Sequence, residues 1–325
     1  MTSVSLIATV LNEGHAIKRL LQSLRQQTTI PDEIIIVDGG STDETLSILE
    51  SYKSQLPLKI LSHPGCNISE GRNIAIQAAQ YDIIVATDAG VKIPETWLAA
   101  LLAPFNADVV AVAGFFLPDP APNNPFEVAM SATVLPHVSE IDPATFLPSS
   151  RSVAFRKSAW ATIGGYPEWL DYSEDLVFDI RIKDFVGDFA FAPRAVVYFK
   201  PRTSVRSFFK QYYLYARGDG KADLWRKRHA IRYITYLVVV PLVLLLALVV
   251  HPVVLGLYIV GGAIYLKQPL QRFPALATEL TLPQKLLGVF YIPLIRIVGD
   301  VAKMLGYPVG LQWRRQHNPP DWRQL

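Results

Sequence analysis

Asp82-Ile83-Ile84-Val85-Ala86-Thr87-Asp88-Ala89-Gly90 is the stretch whose reading decides the fold. Ile83 to Ala86 form a short unbroken apolar run, the pattern of a strand buried on both faces of a parallel sheet. The run stops at Thr87 and Asp88, which puts a carboxylate at the carboxyl end of a buried strand. In open α/β sheets the loops part at that edge into a ligand crevice. Ala89 and Gly90 leave room there for a bulky group. Taken alone, the stretch reads equally well as a turn aspartate bonded to its own backbone.

Working outward, Val4 to Leu11 reads as a strand that ends in Asn12, Glu13 and Gly14, and Ile17, Leu20, Leu21 and Leu24 give His15 to Gln27 a helical period. Glu33 to Val37 is a second strand, followed by Asp38, Gly39, Gly40, Ser41, Thr42 and Asp43. A helix then runs from near Thr42 towards Tyr52. Leu58 to Leu61 and Asp108 to Phe116 are further strands. Between them come a helix capped by Ser69 and another, carrying Trp97, that opens near Pro94. Leu117 to Pro125 and Ile141 to Ser150 read as loops, Ser152 to Phe155 as a strand, and Lys157 to Ile163 as a short helix. Ser173 precedes a helix, and Asp188 to Phe191 and Ala195 to Phe199 read as two closing strands. Strands alternating with helices predict an α/β fold, a mostly parallel sheet covered on both faces. Asp38 and Asp88 then share one sheet edge, where glycine-rich turns expose N–H groups suited to phosphate oxygens. The patterns of dehydrogenases and P-loop enzymes are missing.

Half of the 325 residues are hydrophobic, and the excess lies in the last third. The net charge is +3, yet Lys and Arg crowd between Lys200 and Arg232, which suits an anionic surface met locally. Nothing resembles a nucleic-acid-binding motif. Cys66 stands alone, so no internal disulfide forms, and His63, His137 and His229 lack metal-ligand spacing. The start of the chain does not read as a signal peptide. From Ser204 to Arg217, aromatic residues alternate with Arg206, Lys210 and Arg217, as on a helix at the headgroup level of a membrane. Tyr233 to Leu266 carries no charge; as one helix it would measure about 50 Å, too long for a single span. His251 and Pro252 divide it into a hairpin, whose flanking Arg226, Lys227, Arg228, Arg232, Lys267 and Arg272 place both ends in the cytoplasm. Leu286 to Leu305 contains Arg296, Asp300 and Lys303, which favours an interfacial or re-entrant helix. The expected organisation is a catalytic domain over 1–202, a basic interfacial segment over 203–232, a membrane-embedded region over 233–306 and an irregular tail over 307–325.

Several pieces, in order, carry a resemblance. Ala8-Thr9-Val10-Leu11-Asn12-Glu13, Ile34-Ile35-Ile36-Val37-Asp38-Gly39-Gly40-Ser41-Thr42-Asp43, Gly71-Arg72-Asn73, Thr87-Asp88-Ala89-Gly90 and Ser173-Glu174-Asp175 resemble a family 2 glycosyltransferase of the GT-A fold. The resemblance implies a nucleotide-sugar donor held near Glu13 and Asp38, with Arg72 and Asn73 close to it. Asp88 falls where the family's Asp-x-Asp motif begins, and Gly90 takes the place of the second Asp. A divalent cation, Mg or Mn, would neutralise the departing diphosphate, and Asp88 would be its protein ligand. Glu174 and Asp175 match the family's Glu-Asp motif, whose Asp takes the acceptor's proton in inverting transfer. Gln211 and Tyr215 partly match an acceptor motif, with Leu214 in place of its Arg.

The expected protein is therefore a membrane-anchored inverting transferase facing the cytoplasm. It would act on a lipid-linked or saccharide acceptor hydroxyl. Two alternatives are transfer to a polyprenyl phosphate, which needs no base, and a catalytically silent nucleotide-sugar-binding scaffold. Ser149, Ser150, Arg151 and Arg156 could meet phosphates, though a surface arginine beside an acid is the commoner case.

Overall fold

A computed structural model describes residues 3–325. The chain forms two compact units, one made of the residues up to Asp119 with Val138–Lys200 and Pro319–Leu325, the other of Pro120–His137 and Pro201–Asn318.

The first unit follows the order β1 (Val4–Val10), α1 (Gly14–Arg25), β2 (Glu33–Asp38), α2 (Thr45–Tyr52), β3 (Leu58–Ser62), α3 (Ile68–Ala78), β4 (Ile83–Ala86), β5 (Val91–Lys92), α4 (Trp97–Leu102) and β6 (Ala111–Pro118). The chain then contributes α5 (Pro125–Val134) to the second unit and returns with β7 (Val153–Arg156), α6 (Lys157–Thr162), α7 (Glu174–Phe185) and β8 (Phe189–Phe199). The strands form one sheet in the order β3-β2-β1-β4-β7-β6-β8-β5. Alternation along each strand divides the core between its two faces. Leu6, Ile34, Ile36, Ile83 and Val85 pack under α1 with Ile17, Leu20 and Leu24. Ile7, Ile35, Val37, Ile84 and Ala86 pack under α3 and α7 with Ala75, Ile76, Phe178 and Ile182.

The sheet is mixed. β3, β2, β1 and β4 are parallel, but β7 runs antiparallel to both β4 and β6, and β5 runs antiparallel to β8 at the edge. The two closing strands expected from sequence are one: β8 passes through Ala192 to Ala195 as a bulge, where its register against β6 shifts between Ala113 and Phe115. An exposed Pro193 is tolerated there because a bulge leaves its missing N–H without a ladder partner to satisfy. The cap of α3 is Asn67, not Ser69. Its side chain accepts from the Ser69 and Glu70 N–H groups while Glu70 reaches back to its backbone.

In the second unit, α8 (Val205–Ala222) precedes α9 (Arg226–Ile234), a π-helical turn over Thr235–Val239 and α10 (Val240–Val249). Next come α11 (Gly256–Leu276) and α12 (Leu282–His317). Two helices, Arg226–Val249 and Pro252–Leu276, are long and apolar enough to cross a membrane. Only 11% and 6% of their most apolar stretches are buried, so these are not core helices of the unit. Of the charges that interrupt the third apolar stretch, Asp300 is paired inward. Asp300 accepts from Arg232 at 2.7 Å, from Tyr236 at 3.1 Å and from Tyr265.

The tail is not irregular from Tyr307 onward, because α12 continues to His317 and ends at Asn318 in the left-handed conformation. Packing carries it past Pro308. A Cβ on Gly306 would lie 2.2 Å from the Tyr213 carbonyl oxygen, and one on Gly310 would lie 2.1 Å from that of Arg217, so α8 and α12 touch backbone to backbone. The segment after it rejoins the first unit, where Arg181 donates to the carbonyl oxygens of Trp322 at 2.6 Å and Gln324 at 3.0 Å.

Gly310→Ala should therefore cost about 1–3 kcal/mol through overpacking. Gly262→Ala, in open space on α11, should leave the melt unchanged or slightly raised. Thermal unfolding of the two variants in detergent is the measurement, and equal melts would show that the helices do not meet this closely.

Candidate functional site

The site grows from the end of β4. Past Ala86 the ladder holds for one more residue, as the Thr87 N–H reaches the Ile7 carbonyl. The Thr87 hydroxyl then donates to the Arg151 carbonyl oxygen at 2.9 Å, fixing the chain before β7 against this edge. Asp88 follows, with both oxygens engaged. Arg72 Nη2 donates to Oδ1 at 3.1 Å, and Arg151 Nε lies 3.3 Å from Oδ2.

Arg72 reaches the edge because α3 sits hard against β1: a Cβ on Gly71 would lie 2.4 Å from Thr9 Cγ2. The guanidinium is buried over the Tyr166 ring, which stacks on Phe178 at 3.9 Å and shares a hydrogen bond with Ser150 at 3.0 Å. Its other nitrogen donates to Glu174 Oε1 at 2.7 Å. Asn73 braces this platform. Its Nδ2 donates to the Tyr166 carbonyl and to Glu168, while its Oδ1 accepts from Trp160 Nε1 and the Tyr166 N–H. The amide expected near the donor is thus occupied in holding Tyr166 beneath Arg72.

Glu174 and Asp175 open α7 behind Ser173, whose φ of +64° turns the chain sharply into the helix. Such a conformation is strained for a residue with a side chain. Glu174 is buried, while Asp175 is half-exposed and accepts the Leu176 N–H at 2.9 Å. Burial, then the charge of Asp175, push the Glu174 carboxyl up to about 7 against the pull of Arg72. Burial disfavours the charge on Arg72, but Glu174 and Asp88 outweigh it, so its pKa is raised and the guanidinium stays charged. One turn on, Asp179 is fully buried with Oδ2 lacking a hydrogen-bond partner, and burial followed by Asp175 raises it well above the carboxylate range. Its signal in the sequence was the four-residue spacing from Asp175.

Asp38 lies at the same edge and is fully buried. Its Oδ2 accepts the N–H groups of Gly40 and Ser41, each at 3.0 Å. It shapes the loop, with Gly40 at φ +101° as the bend requires. Asn12 Oδ1 accepts the Thr42 N–H at 2.8 Å, and Thr45 Oγ1 accepts from Glu13 and Gly14. The turn carrying Glu13 is thereby pinned to the Asp38 loop. Gln211 and Tyr215 belong to α8 in the second unit, joined by a 2.7 Å hydrogen bond.

Among the described residues no cluster of three or more His, Cys, Asp or Glu side chains could hold a metal ion. Asp88, with Gly90 two residues on, offers a single carboxylate whose oxygens face arginines. These residues fit an ion that brings most of its ligands with it, and do not fit a resident one.

A mixed sheet of this topology, with an acid–arginine cluster at the carboxyl edge of its parallel half, is that of a GT-A glycosyl-transferring enzyme. Residues 5–159, which include Asp38, Arg72, Asp88 and Arg151, match the model of glycosyl transferase family 2, so the chain carries a family 2 glycosyltransferase domain over this stretch. It is 24% identical over 226 residues to the O-antigen chain rhamnosyltransferase RfbN of Salmonella typhimurium, covering 65% of this chain and 70% of that protein. It is 25% identical over 237 residues to the succinoglycan biosynthesis protein ExoA of Rhizobium meliloti, covering 68% and 70%. The fold is shared with the mannosyltransferase PcManGT of Pyrobaculum calidifontis, solved with GDP-Man and Mn2+, at a TM-score of 0.54, 18% identity and coverage of 97% and 87%.

The Glu174 proton has a consequence for stability. Its folded pKa of about 7 stands above the ordinary 4.5, so its contribution is complete below pH 4.5 and is lost as pH rises through 7. Glu174→Gln should flatten the decline of the melting temperature across that window. An unchanged slope would mean that Glu174 ionises normally.

Proposed function

We propose that this chain is an inverting glycosyltransferase, moving a sugar from a nucleotide-sugar donor to an acceptor hydroxyl at the cytoplasmic face of a membrane. The observation that carries the reading is a half-exposed carboxylate, Asp175, opening a helix next to the buried Glu174–Arg72–Asp88 chain. Asp175 takes the acceptor hydroxyl's proton as the oxygen attacks the anomeric carbon. The bond to the diphosphate breaks on the opposite side, and its electron pair leaves with the diphosphate. Arg151 is the cation placed to meet that charge: its side chain is 27% exposed, whereas Arg72 is enclosed by its two carboxylates. Arg151 is steered by the rings of Phe116 and Phe199, 5.8 and 5.2 Å from its guanidinium carbon. Glu174 acts through Arg72, keeping it under Asp88.

Glu13 and the Asp38 loop are the proposed contacts to base and ribose, with Asn73 fixing the platform at the donor side. A magnesium or manganese ion entering with the donor diphosphate would take Asp88 as its one protein ligand and lower the charge on the leaving group. Gln211 and Tyr215 are the proposed acceptor contacts. The names of the relatives, an O-antigen chain rhamnosyltransferase and a succinoglycan biosynthesis protein, support a saccharide or lipid-linked acceptor. The apolar helices support anchoring, with the arginines and lysines around them favouring cytoplasmic ends. An anchor confines the enzyme to the surface on which such an acceptor diffuses.

Asp175→Asn should lower turnover about 10²–10⁴-fold while donor binding, read by thermal stabilisation, stays intact. Near-normal turnover would instead point to an already ionised acceptor such as a polyprenyl phosphate. Excess EDTA should abolish transfer and added Mn or Mg should restore it. Full activity in EDTA would show that the arginines alone carry the leaving group's charge.

A further inference from the structure

A cavity lies wholly within the second unit, between the first turns of α9 and the last turns of α12. Its volume is about 650 Å³, and its lining includes Arg226, His229, Tyr233, Tyr307, Arg314 and Arg315. Arg226, Arg314 and Arg315 line it, and Arg314 Nη1 donates to the Lys221 carbonyl oxygen at 3.0 Å. The acid in its wall, Asp223, is neutralised by Arg226, whose Nε and Nη2 each donate to a carboxylate oxygen at 2.5 Å. His229 is buried, stacks on Tyr307 at 3.8 Å and meets Asp219 at 3.2 Å. The N–H groups opening α9 have no side-chain cap, so the helix adds its positive end to the same place.

Arg314 and Arg315 on their own would be explained as complements to the negative end of α12. Arg226 has Asp223, but that account leaves out Tyr307. The Tyr307 side chain is 6% exposed and its hydroxyl has no hydrogen-bond partner. Buried phenols are ordinarily satisfied, so an orphan donor in the wall of a basic cavity marks a missing acceptor.

We propose that this cavity binds a phosphate group, and that the phosphate belongs to a lipid. A phosphate presents several acceptor oxygens to guanidiniums and to a phenol, and arginine is the side chain whose planar fork matches it. The argument for lipid is position along the helix. Arg226, His229, Ala230 and Tyr233 share one face of the first two turns, and directly after them Ile234, Leu237 and Val238 are exposed and apolar. A headgroup held by the first set leaves its acyl chains beside the second. Basic pockets at the cytoplasmic end of membrane helices bind anionic headgroups in this way. The lipid half of the assignment rests on the membrane reading above; the phosphate half does not.

The test uses the full chain purified in detergent, with thermal unfolding as the readout. Phosphatidylglycerol added in mixed micelles should raise the melting temperature in a saturable way, and phosphatidylcholine, whose headgroup has no net charge, should not. The double variant Arg314→Gln, Arg315→Gln should weaken the apparent affinity at least tenfold. Tyr307→Phe separates binding from folding. With no partner to lose, it should melt like the parent without lipid, yet show a several-fold weaker response to phosphatidylglycerol. Stabilisation by inorganic phosphate without any by phosphatidylglycerol would overturn the lipid source, and a lipid response unchanged in both variants would overturn the site. Transfer activity is a separate measurement, so failure here and failure of the Asp175 assignment are distinguishable.

Discussion

A buried guanidinium is stable only where its charge is answered, and Arg72 is answered twice. Glu174 and Asp88 come from different parts of the chain, one opening α7 and the other closing β4, and the same side chain holds both. Removing one partner of such a pair leaves an uncompensated charge in a medium that solvates it poorly, which is why buried ion pairs are costly to break even when they add little net stability. The packing around Arg72 serves this arrangement. Gly71 allows α3 to lie against Thr9, Asn73 secures the turn that carries Tyr166, and Tyr166 with Phe178 roofs the charge on its apolar side.

The same charge network sets the protonation of α7. Burial first, and the neighbouring Asp175 second, raise Glu174 and Asp179 above the ordinary carboxylate value. The carboxylate with access to solvent is the one to which the proposed proton transfer is assigned, and its two enclosed neighbours are pushed towards the neutral form.

Much of this was legible in the sequence. The strand read at Val4 to Leu11 and the apolar runs at Ile34 to Val37 and Ile83 to Ala86 announced the buried strands, and Asp38 and Asp88 after the latter two announced the edge that matters. The direction of β7 was not legible, because nothing in Val153 to Arg156 states which way it must run until its neighbours exist. Arg151 was readable as a phosphate contact or, more commonly, a surface arginine, and the choice was open because its meeting with Asp88 depends on that strand's placement. Other omissions had signals. Asn124 followed by Pro125 is a helix start, and α5 begins there with Asn124 accepting from Phe126 and Glu127. Gly306 and Gly310, four apart, marked a close helix crossing that the prolines of that region obscured.

The last residues of the chain carry a further consequence. Pro319–Leu325 belong to the catalytic unit, and Arg181 on α7 holds their backbone by Trp322 and Gln324. The helical unit is thus inserted into the enzyme and not appended to it. Ending translation at the close of β8 to obtain a water-soluble fragment would strip Arg181 of those carbonyl partners on the very helix that bears Asp175. A graft that joins the terminal heptapeptide to the end of β8 through a flexible linker is the truncation that respects the architecture.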